Sequence, residues 1–343
     1  MIRIAIVVFI GIASVICGCQ KKTPVAIPSF YFWKNNAYSL SEAERKLLDT
    51  FHIKKLYVKY FEVARDSLWG NAPVAKTNLR INEWYGVNAE IIPVIFIKNE
   101  VMLRSGKQEL DSLAQNITFL TRKFTNEKMN AVYKEIQIDC DWTEKSKENY
   151  FYFLQQFKKT SGKIVSVTLR LYPYKYSEKM GVPPVDKATL MCYNLVNALQ
   201  NESKNSIIDI NELQKYLDKE RRYPLHLDIV LPAYSWMLLY QNDKFRGIIS
   251  RENEALMNTL SETKPLWYSV TKDTVVDDFY IRTGDKIKYE TVSPEVLYKA
   301  CDIINRNVAL DDSVTISVFH LDEQKISTYS YEVFDSLHTF FSR

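Results

Sequence analysis

The sequence predicts an α/β protein folded as a (β/α)8 TIM barrel, with a small β-containing insertion between strand 7 and helix 7. Three observations predict it. Eight strand-like runs alternate with helical runs along the chain. No Gly-rich phosphate loop follows the first strand and the chain has nine glycines, which argues against the alternative, a doubly wound nucleotide-binding sheet. One β-rich stretch, 242–292, breaks the rhythm after the seventh strand.

The strand-like runs are SFYFW (29–33), KLYVKYFEV (55–63), AEIIPVIFI (89–97), EIQIDCD (135–141), IVSVTLRLY (164–172), ATLMCYN (188–194), LDIVLPAY (227–234) and SVTISVFH (313–320). The first helix, SEAERKLLDTF, opens on a capping box of Ser41 and Glu44. KQELDSLAQNITFLTRKF, SKENYFYFLQQFKKTSG and INELQKYLDKE follow later strands, and SPEVLYKACDIINRN places Ser293 as N-cap with Pro294 at the first helical position. YSYEVFDSLHTFF closes the chain.

The N-terminus reads as a targeting segment. MIRIAIVVFIGIASV has a basic start and an apolar stretch too short for a comfortable membrane span. Ile16, Cys17, Gly18 and Cys19 resemble a bacterial lipobox, with cleavage after Gly18 and a lipid on Cys19. The alternative is an uncleaved anchor; both make the remainder exported and membrane-tethered. Gln20 after Cys19 favours the outer membrane if the source is Gram-negative. Residues 1–18 are thus expected as signal peptide, 19–28 as tether and 29–343 as barrel.

The chain has 343 residues, is 46% hydrophobic and carries a formal charge of +4. That is ample for one barrel-sized core. The cations are scattered among acids, so no nucleic-acid partner is expected. Cys140, Cys192 and Cys301 each lie in apolar runs and read as small core residues. The four histidines are isolated; no metal and no cofactor is expected. The barrel is expected to be a monomer.

Strand alternation assigns faces. Ile136, Ile138 and Cys140 share one face of the fourth strand, and Gln137, Asp139 and Asp141 the other. The apolar set must meet the helices, so the polar set points into the barrel. Ser166, Thr168, Arg170 and Tyr172 face inward on the fifth strand by the same rule, and Tyr57, Lys59 and Phe61 on the second. Barrel active sites lie at the C-terminal strand ends. Asp139, Asp141, Trp142, Arg170, Tyr172, Tyr193, Asn194, Tyr234, Trp236 and His320 fall there. Tyr31, Trp33, Lys59 and Glu62 fall at the ends of the first two strands. An aromatic-walled mouth with a few convergent charges suits a carbohydrate. The alternative is that Asp139, Lys59 and Arg170 form a structural ion-pair network.

Residues 139–143, DCDWT with their neighbours, resemble the fourth-strand motif D-G-x-D-x-D-x-E of family 18 glycoside hydrolases, the chitinase and endo-N-acetylglucosaminidase group. LMCYN (190–194) resembles that family's M-x-Y-D, and IVLPAYSW (229–236) its G-x-P-x-Y-G. The resemblance implies that Asp139 and Asp141 take the last two aspartate positions, with Asp141 orienting a substrate N-acetyl group and Tyr193 helping to hold it. Asn194 replaces the aspartate that follows, and Ile136 and Gln137 stand where the first aspartate is missing. Thr143 occupies the acid glutamate position. A threonine hydroxyl is far too weak an acid to protonate a glycosidic oxygen. Glu144 is one residue late; Glu62, Asp228 and Asp322 are the other candidate acids. The expectation is an exported lipoprotein, hydrolase-like, acting on a glycan. The alternative is a carbohydrate-binding lipoprotein without hydrolysis.

Overall fold

The computed structural model describes residues 24–34, 39–66, 70–74, 87–129, 132–217, 222–250 and 252–342. The stretch expected as signal peptide, and Cys19, lie outside the described residues.

Eight parallel strands close into a barrel. They are β1 (Val25–Phe32), β2 (Lys55–Asp66), β4 (Glu90–Ile97), β5 (Glu135–Asp139), β6 (Ile164–Arg170), β7 (Lys187–Met191), β8 (His226–Pro232) and β16 (Ser313–Phe319). Each pairs with its neighbour in order, and β1 pairs with both β16 and β2 to shut the ring. β1 begins at Val25, inside the stretch read as tether. A further strand, β3 (Gly70–Val74), folds back antiparallel on β2; its short run carried no periodic signal.

Helices cover the outside. α1 (Glu42–Thr50) starts on the capping box of Ser41 and Glu44. α2 (Asn99–Arg104) and α3 (Lys107–Phe124) follow β4. α4 (Lys147–Ser161) follows β5 and stops at Gly162, whose φ of 60° suits a residue without Cβ. After β6 come two short turns of helix, α5 (Leu171–Lys175) and α6 (Ser177–Met180), and after β7 comes α7 (Ile210–Tyr216). α9 (Pro294–Asn307) and α10 (Glu323–Thr339) finish the ring. The apolar strand faces meet these helices in one continuous core that includes Ile136, Ile138, Cys140, Val165 and Val167.

The insertion starts at the first residue of β9 (Trp236–Gln241) and continues through β10 (Lys244–Ile249), the short α8 (Glu254–Met257), β11 (Leu260–Lys264), β12 (Trp267–Val270), β13 (Thr274–Val276), β14 (Phe279–Ile281) and β15 (Lys286–Glu290). Five of its strands form an antiparallel sheet. It has its own apolar core of Met237, Leu239, Ile249, Leu256, Val270, Val276, Ile281 and Ile287.

The lumen is filled in layers, as a barrel of this size requires. At the N-terminal end Lys187 reaches Glu135 (2.8 Å) and Asp228 (2.9 Å). In the middle the Tyr31 hydroxyl donates to Gln137 Oε1 (2.6 Å), and Gln137 Nε2 donates to Thr189 Oγ1 (3.0 Å). Tyr31 stacks on Tyr57 at 4.8 Å. Asp139 closes the top.

One register shift alters the inward set. β2 bulges between Lys59 and Phe61, which flips the alternation beyond it. Phe61, expected inside, turns outward against Phe124, and Glu62 turns inward to pair with Lys59 at 3.4 Å.

Candidate functional site

The C-terminal ends of β5, β6 and β7 surround an open cleft of about 300 Å³. Asp141, Trp142, Glu144, Arg170, Tyr172, Tyr193 and Asn194, all singled out by the sequence, line it together with Tyr216. β5 ends at Asp139, so Asp141 stands on the first residues of the following loop. Its Oδ2 meets Arg170 Nη1 at 3.2 Å, and both side chains are exposed. Arg170 Nη2 also donates to the Asn194 carbonyl (3.3 Å). Asn194 adopts φ of 54°, a left-handed conformation that asparagine tolerates. Its Oδ1 accepts from the Tyr234 hydroxyl at 2.6 Å. Tyr193 lies between Phe319 (5.4 Å, stacked) and Tyr234 (6.1 Å, edge-on). Burial pushes the Tyr193 and Tyr234 phenols up, so both stay protonated.

Asp139 is half-buried and accepts from Thr168 Oγ1 at 2.6 Å. Burial raises its pKa to about 6; Asp141 adds to the rise, while the Thr168 hydroxyl, Arg170 and Lys59 oppose it. The expected network of Asp139, Lys59 and Arg170 is therefore resolved differently: Arg170 pairs with Asp141, Lys59 with Glu62. Lys59 Nζ also sits 5.0 Å from the Trp33 ring, a cation–π contact.

Several expected contributors do not reach the cleft, or reach it without a free face. Tyr31 is 2% exposed in the middle layer of the lumen, so it cannot touch a substrate. Lys59 and Glu62 are buried in their pair on the β2 side. Trp142 forms part of the cleft wall, but it is 5% exposed and stacks on Tyr150 at 5.2 Å, so it offers no free face to a sugar. Trp236 begins the insertion and its Nε1 donates to Glu290 (2.7 Å). Trp33 packs against Phe319 and Phe96 away from the cleft lining. His320 is partly buried past the end of β16, and burial lowers its pKa.

The acid candidates separate clearly. Thr143 is exposed, and its hydroxyl lies 3.3 Å from Ser146 Oγ at the start of α4. Glu144 lines the cleft but is held by Lys179 at 2.9 Å. Asp228 sits at the opposite mouth, where Lys187 and His226 engage it and the Thr315 amide donates to it. Although burial works the other way, these contacts hold its carboxyl well below the usual range. Asp322 caps α10 through the Gln324 amide. Neither of the last two can serve chemistry at the cleft.

The insertion braces the loop that follows Asn194 and Leu195 of the cleft lining. Lys288 and Glu290 are fully buried and pair at 2.7 Å. Lys288 Nζ donates to the carbonyls of Asn201 and Lys204, and Glu290 Oε2 accepts from Ser206. These residues belong to the loop after β7, which returns to Asn194 through its amide bond to the Ile207 carbonyl (2.7 Å). Lys288, Glu290 and Tyr216 carried no sequence signal, because their roles come from contacts between distant segments. Thr168 was legible in part: alternation placed it on the inward face, and the structure sets it against Asp139. Among the described residues no cluster of His, Cys, Asp or Glu could hold a metal.

No family model and no curated protein matches the chain. Solved structures do. The Bacillus cereus spore cortex-lytic enzyme SleL is 12% identical with a TM-score of 0.52, over 92% of this chain and 75% of that one. A chitinase from Chromobacterium violaceum is 10% identical with a TM-score of 0.51, over 91% and 98%. The Group IV chitinase of Ostrinia furnacalis is 10% identical with a TM-score of 0.50, over 93% and 100%. At these identities the likeness shows the fold, a closed (β/α)8 barrel shared with those enzymes over 91–93% of this chain.

Proposed function

We propose that the protein is an exported, lipid-anchored glycan-binding protein that uses a glycoside hydrolase-like barrel without hydrolysis. The observation that carries this is the cleft itself. It combines exposed Tyr172, half-buried Tyr216 and buried Tyr193 with the Asp141–Arg170 pair and Asn194. Aromatic faces cover the apolar side of a sugar, and fixed polar groups take its hydroxyl and amide groups. Against hydrolysis stand Thr143 at the acid position and Glu144 tied to Lys179. N-acetylhexosamine-containing chains are the ligand class that the motif resemblance favours. Cys19 carries the lipid, and the cell envelope is the location.

A second reading, hydrolysis, is favoured by one feature. The Asp139 carboxyl, at about 6, is protonated in part near neutrality and lies within electrostatic reach of Asp141. A proton held beside a carboxylate is what glycosidases use.

The experiment is a glycan array paired with a reducing-end assay on the chain without residues 1–19. Binding without turnover, weakened at least tenfold by Arg170→Ala, is the expected result. Turnover that follows a pKa near 6 and disappears in Asp141→Asn establishes the second reading. No glycan binding at all removes both.

A further inference from the structure

We propose that the N-terminal mouth of the barrel is a lipid-facing surface that seats on an anionic membrane and turns the cleft outward. The proposal rests on the lipid-anchor reading of Cys19 and adds a face and an orientation to it.

The first support is chain length. β1 begins at Val25, at the N-terminal mouth, where the Val25 amide donates to the Asp312 carbonyl. Six residue steps separate Cys19 from Val25, a reach of about 20 Å at full extension. A lipid on Cys19 therefore holds this mouth within that distance of the headgroups. The barrel strands span about 20 Å more, and the cleft opens at their far end.

The second support is the chemistry of the mouth. At the base of β5 and β6, Val132 is 85% exposed and Ile164 47%. Exposed Lys134 lies between them, its carbonyl accepting from the Ile164 amide (3.1 Å). Lys163 extends its ammonium over the Tyr133 ring at 5.0 Å. Val25, 64% exposed, stands on the opposite rim beside Asp312, and exposed Lys54 lies at the base of β2. Apolar side chains interleaved with lysines suit the boundary between acyl chains and anionic headgroups. Two carboxylates of this mouth are already engaged: Asp186 by Lys158, and Asp311 by His226 and Arg222.

The test uses the mature lipidated protein, purified from cells and placed in vesicles of phosphatidylcholine and phosphatidylglycerol that carry a quencher-labelled lipid. Fluorophores are placed at Val132→Cys on the base or at Glu148→Cys near the cleft. Cys140, Cys192 and Cys301 are buried and will not take label. The expected result is strong quenching at position 132 and none at 148. Lys134→Glu with Lys163→Glu lowers the quenching at 132 at least twofold in anionic vesicles and leaves neutral ones unchanged. Equal quenching at both positions, or the reverse order, overturns the orientation. Mass spectrometry of the same sample separates the premise. An unmodified Cys19 overturns the anchor and this proposal together, whereas a lipidated chain with equal quenching overturns the proposal alone. Glycan binding to the cleft is scored independently by the array.

Discussion

The two mouths of this barrel are lined by the same residue types used in opposite ways. At the N-terminal mouth Asp228 is buried and engaged on every side: it accepts from Lys187, His226 and the Thr315 amide, and its pKa falls. At the C-terminal mouth Asp141 and Arg170 meet in solvent, and Asp139 is pushed upward by burial. The difference teaches that an acid inside a barrel is not by itself a functional sign. A lowered pKa in a saturated network marks architecture, whereas a raised pKa beside an open cleft marks a group that still has something to exchange.

The largest effect expected is at the base. Lys187→Met leaves Glu135 and Asp228 buried without their cation, and we expect a loss of about 3–5 kcal/mol, read as a fall in the denaturant midpoint. A loss below about 1 kcal/mol would erase the contrast between the mouths.

Asp139→Asn should act with the opposite sign. Its folded pKa, about 6, lies above the unfolded value of about 3.9. The folded state then holds the proton more tightly, and stability declines as pH rises from about 4 through about 6. The Asn variant should lack this slope and melt higher than wild type at pH 7.5; a lower melting point breaks the assignment.

His226 adds a second pH signature, this one at the base. Asp228 and then Asp311 raise its folded pKa. Its stabilisation is therefore complete below about 6.5, the unfolded value, and is lost as pH rises through the folded one. His226→Gln should reduce the melting temperature at pH 6 and converge on wild type in alkaline buffer. A constant gap across that range contradicts it.

Tyr31→Phe removes one buried hydrogen bond to Gln137 and should cost about 1 kcal/mol with no change in glycan binding. Reduced binding would show that the lumen communicates with the cleft. The smallest effect belongs to the rim. Arg170→Ala separates an exposed pair, so its stability change should stay below about 1 kcal/mol while its binding loss is large.

Much of this was legible from the chain. Strand alternation found Asp139, Asp141, Arg170 and Tyr193, because inside and outside differ sharply in polarity there. Alternation failed at β2, where a bulge reversed the faces of Phe61 and Glu62. It also misjudged depth. Tyr31 stands only two residues before Trp33, yet one is buried in β1 and the other lies half-buried just past its end. Sequence gives the side of a strand, and only the register with its neighbours gives the height. The strap from Lys288 and Glu290 to the loop after β7 was invisible, since it joins segments more than eighty residues apart.

That strap carries a lesson for engineering. A designer who exchanges the 195–207 segment to retune ligand preference while keeping the insertion leaves an ammonium and a carboxylate in a dry seam without their carbonyl and hydroxyl guests. The loop and the insertion form a two-part cassette, and the parts must be transplanted together.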